Sequence, residues 1–289
     1  MDPDNGYAAP GLPADWLNAW LAAIGVLSII PEVRLAWTRD VVPHPVFSGV
    51  KPFELVGAIA DALPSSETLA TTSIARTHPD GHHEFGRTVT IGAYAERAAI
   101  ERQTHDYLLG GSVSDAIMRG GVGEIDHGAF DPPMPAGMTL WSRAVRCREL
   151  LDGIDDIEAA VEATLAGRAK RQAANGLGFC ARRYRTGVQP SGGDSVHVDP
   201  VVELLALCGL KIFPVRGDGR SVRQRGWTAP STRRGSFMWP TWTPSLSLWA
   251  IDALLDQPQL ADGPRWQVVP YIPANSKDPK RAYFSERAP

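Results

Sequence analysis

Histidines and carboxylates gather in one short run, His78-Pro79-Asp80-Gly81-His82-His83-Glu84, with His105-Asp106 and Asp126-His127 further along. Imidazole and carboxylate together can hold a transition metal, and a metal-activated water would make a nuclease or another hydrolase. The spacing argues against this. His82 and His83 are adjacent, so on a strand they point to opposite faces, and the run has the Pro-Asp-Gly composition of a hairpin turn. No His-Glu-x-x-His pattern accompanies it. The expectation is exposed turn residues; a metal-dependent hydrolase using His78, His82, His83 and Asp80 or Glu84 is the alternative. Nucleophile and phosphate-loop signatures are missing too: there is no Gly-x-Ser-x-Gly and no Walker loop, and Gly176-Leu177-Gly178 lacks the third glycine of a dinucleotide fingerprint. Cys180, beside Arg182 and Arg183, could be an activated thiolate, but a small residue facing the core while the arginines face outward accounts for it more simply.

A different chemistry is written in the arginines. Between Arg168 and Arg234 there are thirteen Lys/Arg against four acids (Asp194, Asp199, Glu203, Asp218), so this third of the chain carries about +9 although the whole carries −3. Arg182, Arg183 and Arg185 lie on an expected strand, and Arg220, Arg223, Arg225, Arg233 and Arg234 form a second group interleaved with Trp227, Phe237, Trp239 and Trp242. Guanidinium groups for phosphates and flat rings for bases are what a nucleic-acid surface needs. Trp239 and Trp242, next to Met238 and Pro240 and ahead of a helix start, are expected as packing residues rather than stacking platforms. On a strand, Arg182 and Arg183 alternate faces, so Arg185 shares a surface with only one of them. Charge segregation on this scale specifies a polyanion, nucleic acid or an acidic protein.

The elements that must position these residues read as an α+β fold: short strands and hairpins packed with several amphipathic helices and no transmembrane segment. A chain of 289 residues with 44% hydrophobic content has enough apolar side chain for a sizeable core, and 24 prolines with 28 glycines point to many turns rather than a long bundle. Trp16 to Ile30 is too short for a membrane span, and no basic segment precedes it as a signal peptide would require. Three widely spaced cysteines suit a reducing cytoplasm. Helices are expected from Asp15, with Asp15 as cap; from Pro52 to Leu63; from Tyr94 to Leu109; from Leu140 to Leu151; from Asp155 to Gln172; from Asp199-Pro200 to Gly209; and from Leu246 to Leu255 behind Thr243-Pro244. Strands are expected at Val33–Trp37, at Leu69–Arg76 paired with Phe85–Ile91, at Leu177–Thr186, at Lys211–Val215 and at Trp266–Ile272, followed by a polar tail. Gly25 interrupts the first helix and is a candidate close-packing contact. The expected organisation is an N-terminal α+β region (1–119), an exposed Gly/Pro-rich loop (120–135), and a C-terminal helical then basic α+β region (136–289), which could also be one continuous domain.

Two segments resemble a known family. The opening helix Trp16-Leu17-Asn18-Ala19-Trp20-Leu21-Ala22-Ala23-Ile24-Gly25-Val26-Leu27 leads into a strand, and Gly178-Phe179-Cys180-Ala181-Arg182-Arg183 is followed by Pro200-Val201-Val202-Glu203-Leu204-Leu205-Ala206-Leu207-Cys208-Gly209-Leu210. The pair is similar to the pattern Gly-Phe-Asp-x-Arg-Arg … Pro-x-Val-Glu-Leu-Leu-Ala-x-x-Gly-Leu of the large-subunit-like proteins of type I-G (formerly I-U) CRISPR effector complexes, with Cys180 where that pattern has an acid. The resemblance covers about a third of the chain. It implies a non-catalytic, cytoplasmic subunit of an RNA-guided antiviral complex, without a cofactor. Such a subunit contacts target DNA at the protospacer-adjacent duplex or the displaced strand, and its partners are the guide-RNA-containing proteins and a helicase–nuclease. Arg182, Arg183 and Arg185 would be backbone contacts and the Arg220–Arg234 set a second basic group. A scaffold subunit binding an acidic protein is the remaining alternative.

Overall fold

The computed structural model describes residues 6–72, 75–77, 83–85, 89–90, 99, 113–117, 124–127, 130, 140–174, 176–177, 197–217, 222–228, 236–271 and 282–287. The described helices are α1 (Leu17–Ile29), α2 (Pro52–Ala62), α3 (Ser66–Thr72), α4 (Leu140–Asp152), α5 (Ile157–Leu165), α6 (Pro200–Gly209) and α7 (Leu248–Asp256). The strands are β1 (Tyr7–Ala8), β2 (Arg34–Trp37), β3 (Pro45–Ser48), β4 (Ala75–Thr77), β5 (His83–Phe85), β6 (Val89–Thr90), β7 (Val113–Ile117), β8 (Glu124–His127), β9 (Gln172–Ala173), β10 (His197–Val198), β11 (Val215–Gly217), β12 (Val222–Gln224), β13 (Phe237–Pro240), β14 (Arg265–Tyr271) and β15 (Ala282–Arg287). All the described strand pairs are antiparallel and the sheets are small, of two or three strands, with orders such as β1-β3-β2 and β13-β14-β15. The molecule is α+β, and no described helix is long and apolar enough to cross a membrane.

Helix α1 is the centre of the core. Every residue from Leu17 to Leu27 is buried, so the helix is covered all round and not along one face. Its N-cap is Trp16, which makes no side-chain cap bond, in place of the expected Asp15 cap. Burial rather than capping holds the helix start. Against it lies α6, likewise buried along its whole length. The two backbones approach at a pair of glycines: a Cβ on Gly25 would fall on the Leu205 carbonyl oxygen, and one on Gly209 would fall on the Leu21 carbonyl oxygen. Gly25 is therefore the close-packing contact its position suggested.

Gly209 is the last residue of α6, as expected, and its φ of −65° is still helical, so the α-helix ends without a left-handed turn. A turn of 3₁₀ helix, Leu210–Ile212, follows instead of a strand from Lys211, and the strand comes later as β11. The same glycine also serves the crossing.

Around this pair the tryptophans act as struts. Trp20 donates its indole N–H to the Pro240 carbonyl at 3.0 Å, Trp239 to Ala14 at 2.7 Å and Trp242 to Leu35 at 2.9 Å. Trp20, Phe213, Phe237 and Trp239 meet at ring-centroid distances of 5.5–6.2 Å, and Phe130 joins Phe213, Trp227 and Phe237 edge-on. One contiguous core thus draws on residues from Ala9 to Leu69 and from Phe130 to Val268. It takes from both sides of the expected 120–135 loop.

Several local expectations change. Within 120–135, Glu124–His127 is the strand β8, paired with β6 and β7, and Phe130 is buried; flanking glycines hid a strand of only four residues. Residues 66–72 form α3 rather than a strand, with the Thr68 amide donating to Ser65 Oγ at 3.0 Å. Strands β4 and β5 pair antiparallel but take in only the end of the first expected strand and the start of the second, with His83 and Glu84 in the strand rather than the turn; Val89–Thr90 pairs with β8 instead. Helix α5 ends at Leu165, not Gln172, because Gly167 turns at φ +74° against the backbone of Gly11. Its start is as expected, with Asp156 accepting from the Ala159 amide at 2.9 Å. Thr243 does not cap α7; its amide and hydroxyl both donate to Asp262, and Ser247 caps the helix by accepting from the Ala250 amide. The polar tail contains β15, antiparallel to β14. Apart from residue 99, which is helical, the helix expected over 94–109 lies outside the described residues, as does most of the strand expected over 177–186.

Candidate nucleic-acid interface

The resembling segment Pro200–Leu210 forms α6 as its residue types dictate. Pro200 sits at the first helical position and Asp199 accepts from the Val201 amide at 3.1 Å. Asp199 is itself buried, and its second oxygen accepts from the Thr164 hydroxyl at 2.8 Å, which joins α6 to α5. Burial pushes its carboxyl above the ordinary range against the pull of those bonds and of Arg171.

One turn further, Glu203 is 1% exposed in the middle of an apolar helix. Its two oxygens accept from Asn18 Nδ2 at 2.8 and 3.0 Å, and Oε2 also accepts from the Leu177 amide at 2.7 Å. Desolvation raises its carboxyl from 4.5 to about 7, against the opposing effect of those donors and of Arg143 and with help from Asp199. Arg143, on α4 and buried, donates to the Gly176 carbonyl at 3.0 Å. Gly176 has φ +56°, and a Cβ there would lie 2.8 Å from the Glu203 carboxyl carbon and Oε2. A side chain would thus suffer both the left-handed backbone and the carboxylate. Three helices, α1, α4 and α6, therefore clamp the Gly176–Leu177 turn. In sequence this turn stands immediately before Gly178-Phe179-Cys180-Ala181-Arg182-Arg183, so Glu203 ties one resembling segment to the threshold of the other. Sequence reading passed over Glu203, Asn18, Arg143 and Gly176 as site residues. The available signal was an acid alone in the apolar run Pro200–Leu210.

The basic candidates divide. Arg182, Arg183, Arg185, Arg220, Arg233 and Arg234 lie outside the described residues, and Arg223 is on β12, paired in register with Arg216 of β11. Arg225 has a described side chain, and it is committed within the chain. Its guanidinium meets Asp252 at 2.6 Å and Asp256 at 3.0 Å, both on α7, and donates to the Ile212 carbonyl at 3.2 Å. With its side chain 18% exposed and two carboxylates beside it, Arg225 holds α7 and contributes little positive field. On the acidic side, Asp199 and Glu203 are withdrawn into the core, so two of the four acids of the basic third are kept from its surface.

The aromatic residues also divide from the basic ones. Phe237, Trp239 and Trp242 are buried, as expected of packing residues, and none presents a ring face to solvent. A cleft of about 270 Å³ beside Trp37, Thr38, Arg39, Asp40, Thr243 and Asp262 has its indoles sealed beneath it, Trp37 at 3% and Trp242 at 1% exposure. It offers no stacking platform. Of the histidine run, His78 and His82 lie outside the described residues and His83 is on β5 opposite Thr77. Among the described residues no group of three or more His, Cys, Asp or Glu is arranged to hold a metal. Cys147 and Cys208 are buried and in no disulfide, and burial pushes the Cys147 thiol far above its ordinary range, which disfavours the thiolate that a nucleophile needs.

A scan against protein-family models finds no match for the chain, and a search of curated proteins finds no similar sequence.

Proposed function

We propose that the protein is a non-catalytic nucleic-acid-binding subunit of an RNA-guided CRISPR antiviral effector complex. In this role it contacts target DNA, at the protospacer-adjacent duplex or the displaced strand, and binds partner subunits of the guide-RNA complex. The observation that carries the proposal is charge segregation: thirteen Lys/Arg against four acids in 168–234 within a chain of net charge −3. Burial of Asp199 and Glu203 supports it by removing anionic charge from that region's surface. Burial of Trp239 and Trp242 narrows it, because affinity would come from phosphate contacts rather than base stacking, with guide pairing supplying the sequence specificity. Arg182, Arg183 and Arg185 are the proposed backbone contacts, with Arg220, Arg223, Arg233 and Arg234 as a second group.

The test is binding of the purified chain to short duplex, forked and single-stranded DNA at two salt concentrations, beside Arg182→Ala/Arg183→Ala/Arg185→Ala. The proposal expects binding that weakens steeply with salt, and a salt slope that is smaller in the triple variant by about one for each phosphate the wild-type arginines neutralise. Binding that ignores both salt and the triple substitution would sink it.

A further inference from the structure

We propose that Glu203 is a proton-operated latch on the Gly176–Leu177 turn: ionised, it grips the Leu177 amide strongly; protonated, it turns its bonding toward Asn18 and holds that amide weakly. The geometry has the parts for both states. In the ionised state the carboxylate accepts from Asn18 Nδ2 at both oxygens and from Leu177 N at 2.7 Å. Such charge-assisted bonds are about twice as strong as neutral ones. A protonated Glu203 needs an acceptor for its new hydrogen. Asn18 Oδ1 is buried with no hydrogen-bond partner, and a half-turn of the carboxamide would place it where Nδ2 now meets the carboxyl. Leu177 would then bond to a neutral carbonyl oxygen.

Burial biases this equilibrium toward neutrality near physiological pH, against most of the groups that face Glu203. Helix α1 contributes Asn18 and no ionisable side chain. Helix α4 contributes Arg143, which favours the anion, and Cys147, which stays a neutral thiol. The start of α6 contributes Asp199, which opposes the anion. Burial outweighs the rest and sets the carboxyl at about 7.

A purely structural carboxylate and a latch differ in sign. Protonation relieves the buried charge, so the fold as a whole gains stability as pH falls through 7, while the grip on Leu177 loosens over the same interval. Hydrogen exchange of the Leu177 amide, corrected for its intrinsic pH dependence, is therefore expected to show protection falling about fivefold from pH 8 to pH 6 in the full chain. In Glu203→Gln, protection is expected to be low and equal at both. A parallel carbon-13 titration of the Glu203 carboxyl in the wild-type chain should have its midpoint near 7, and it decides the matter even if the variant does not fold. Leu177 protection that is flat or rises toward pH 6, or a carboxyl that titrates below 5, overturns the latch.

The consequence for DNA rests on the proposed role of Arg182, Arg183 and Arg185. At fixed ionic strength a forked DNA duplex should bind about fivefold more tightly at pH 8 than at pH 6, with the difference abolished in Glu203→Gln. The triple arginine variant separates the two ideas. If it binds like wild type, the proposed function fails while the exchange data still judge the latch; if it loses binding and exchange is flat, the latch fails and the function stands.

Discussion

A carboxylate sealed among three helices makes stability depend on pH in an unusual direction. The folded carboxyl of Glu203, at about 7, lies above its ordinary 4.5. Its contribution to stability is therefore fully present below pH 4.5 and lost as pH rises through 7, and Asp199, shifted the same way, adds to the trend. The Glu203 shift corresponds to a loss on the order of 3 kcal/mol between pH 4.5 and pH 8. Denaturant titrations across that range should show it, and Glu203→Gln should flatten the profile and equal or exceed the wild type at pH 8. Glu203→Ala should instead cost about 2–4 kcal/mol at every pH, because it strands the Leu177 amide and Asn18 without partners in the core. The glycine facing this carboxylate is as exacting. Gly176→Ala must hold a left-handed backbone and displace the Glu203 carboxyl at the same time, and a loss of roughly 2–3 kcal/mol in chemical denaturation is expected.

At the level of elements, the α1–α6 crossing is set by two backbones in contact, not by side chains meshing between them. Gly25→Ala and Gly209→Ala should each force the helices apart and cost on the order of 3 kcal/mol, measurable as a lower midpoint of thermal unfolding. Much of this level was legible in the residues. The Asp199-Pro200 and Pro52 starts, the alternation before Trp37 and the apolar run of α1 carry their own signals, and each element is found within a few residues of its expected place. What could not be read were elements defined by distant partners. Glu124–His127 has one β-former, Ile125, between two acids, and its strand is defined by pairing with Val89–Thr90 and Val113–Ile117. Gly209 reads as a helix stop, and only the position of Leu21 reveals its second use at the crossing. The same holds for the candidate site: the arginines were visible as charge, but Arg225 could not be told from the others until Asp252 and Asp256 were placed beside it.

For the molecule as a whole, the proposed function predicts opposite phenotypes for Arg225, which is held within the chain, and for the arginines proposed to meet DNA. Arg225→Ala should lower stability by about 1–3 kcal/mol by releasing its grip on α7, and leave the salt slope of DNA binding nearly unchanged. Arg182→Ala/Arg183→Ala/Arg185→Ala should do the reverse. Binding isotherms at several salt concentrations, read beside thermal melts, make the comparison directly. The order of the core along the chain carries a consequence for synthesis. Helix α1 is apolar on every side, yet the partner that covers it, α6, is not complete until Gly209, some 180 residues later. At about 5–20 residues per second a nascent chain would carry that bare apolar segment for about 10–40 s, long enough to depend on a chaperone or on the ribosome surface for cover. A chain released early, before Pro200, should therefore be recovered from cells as aggregate, while the full chain stays in the supernatant.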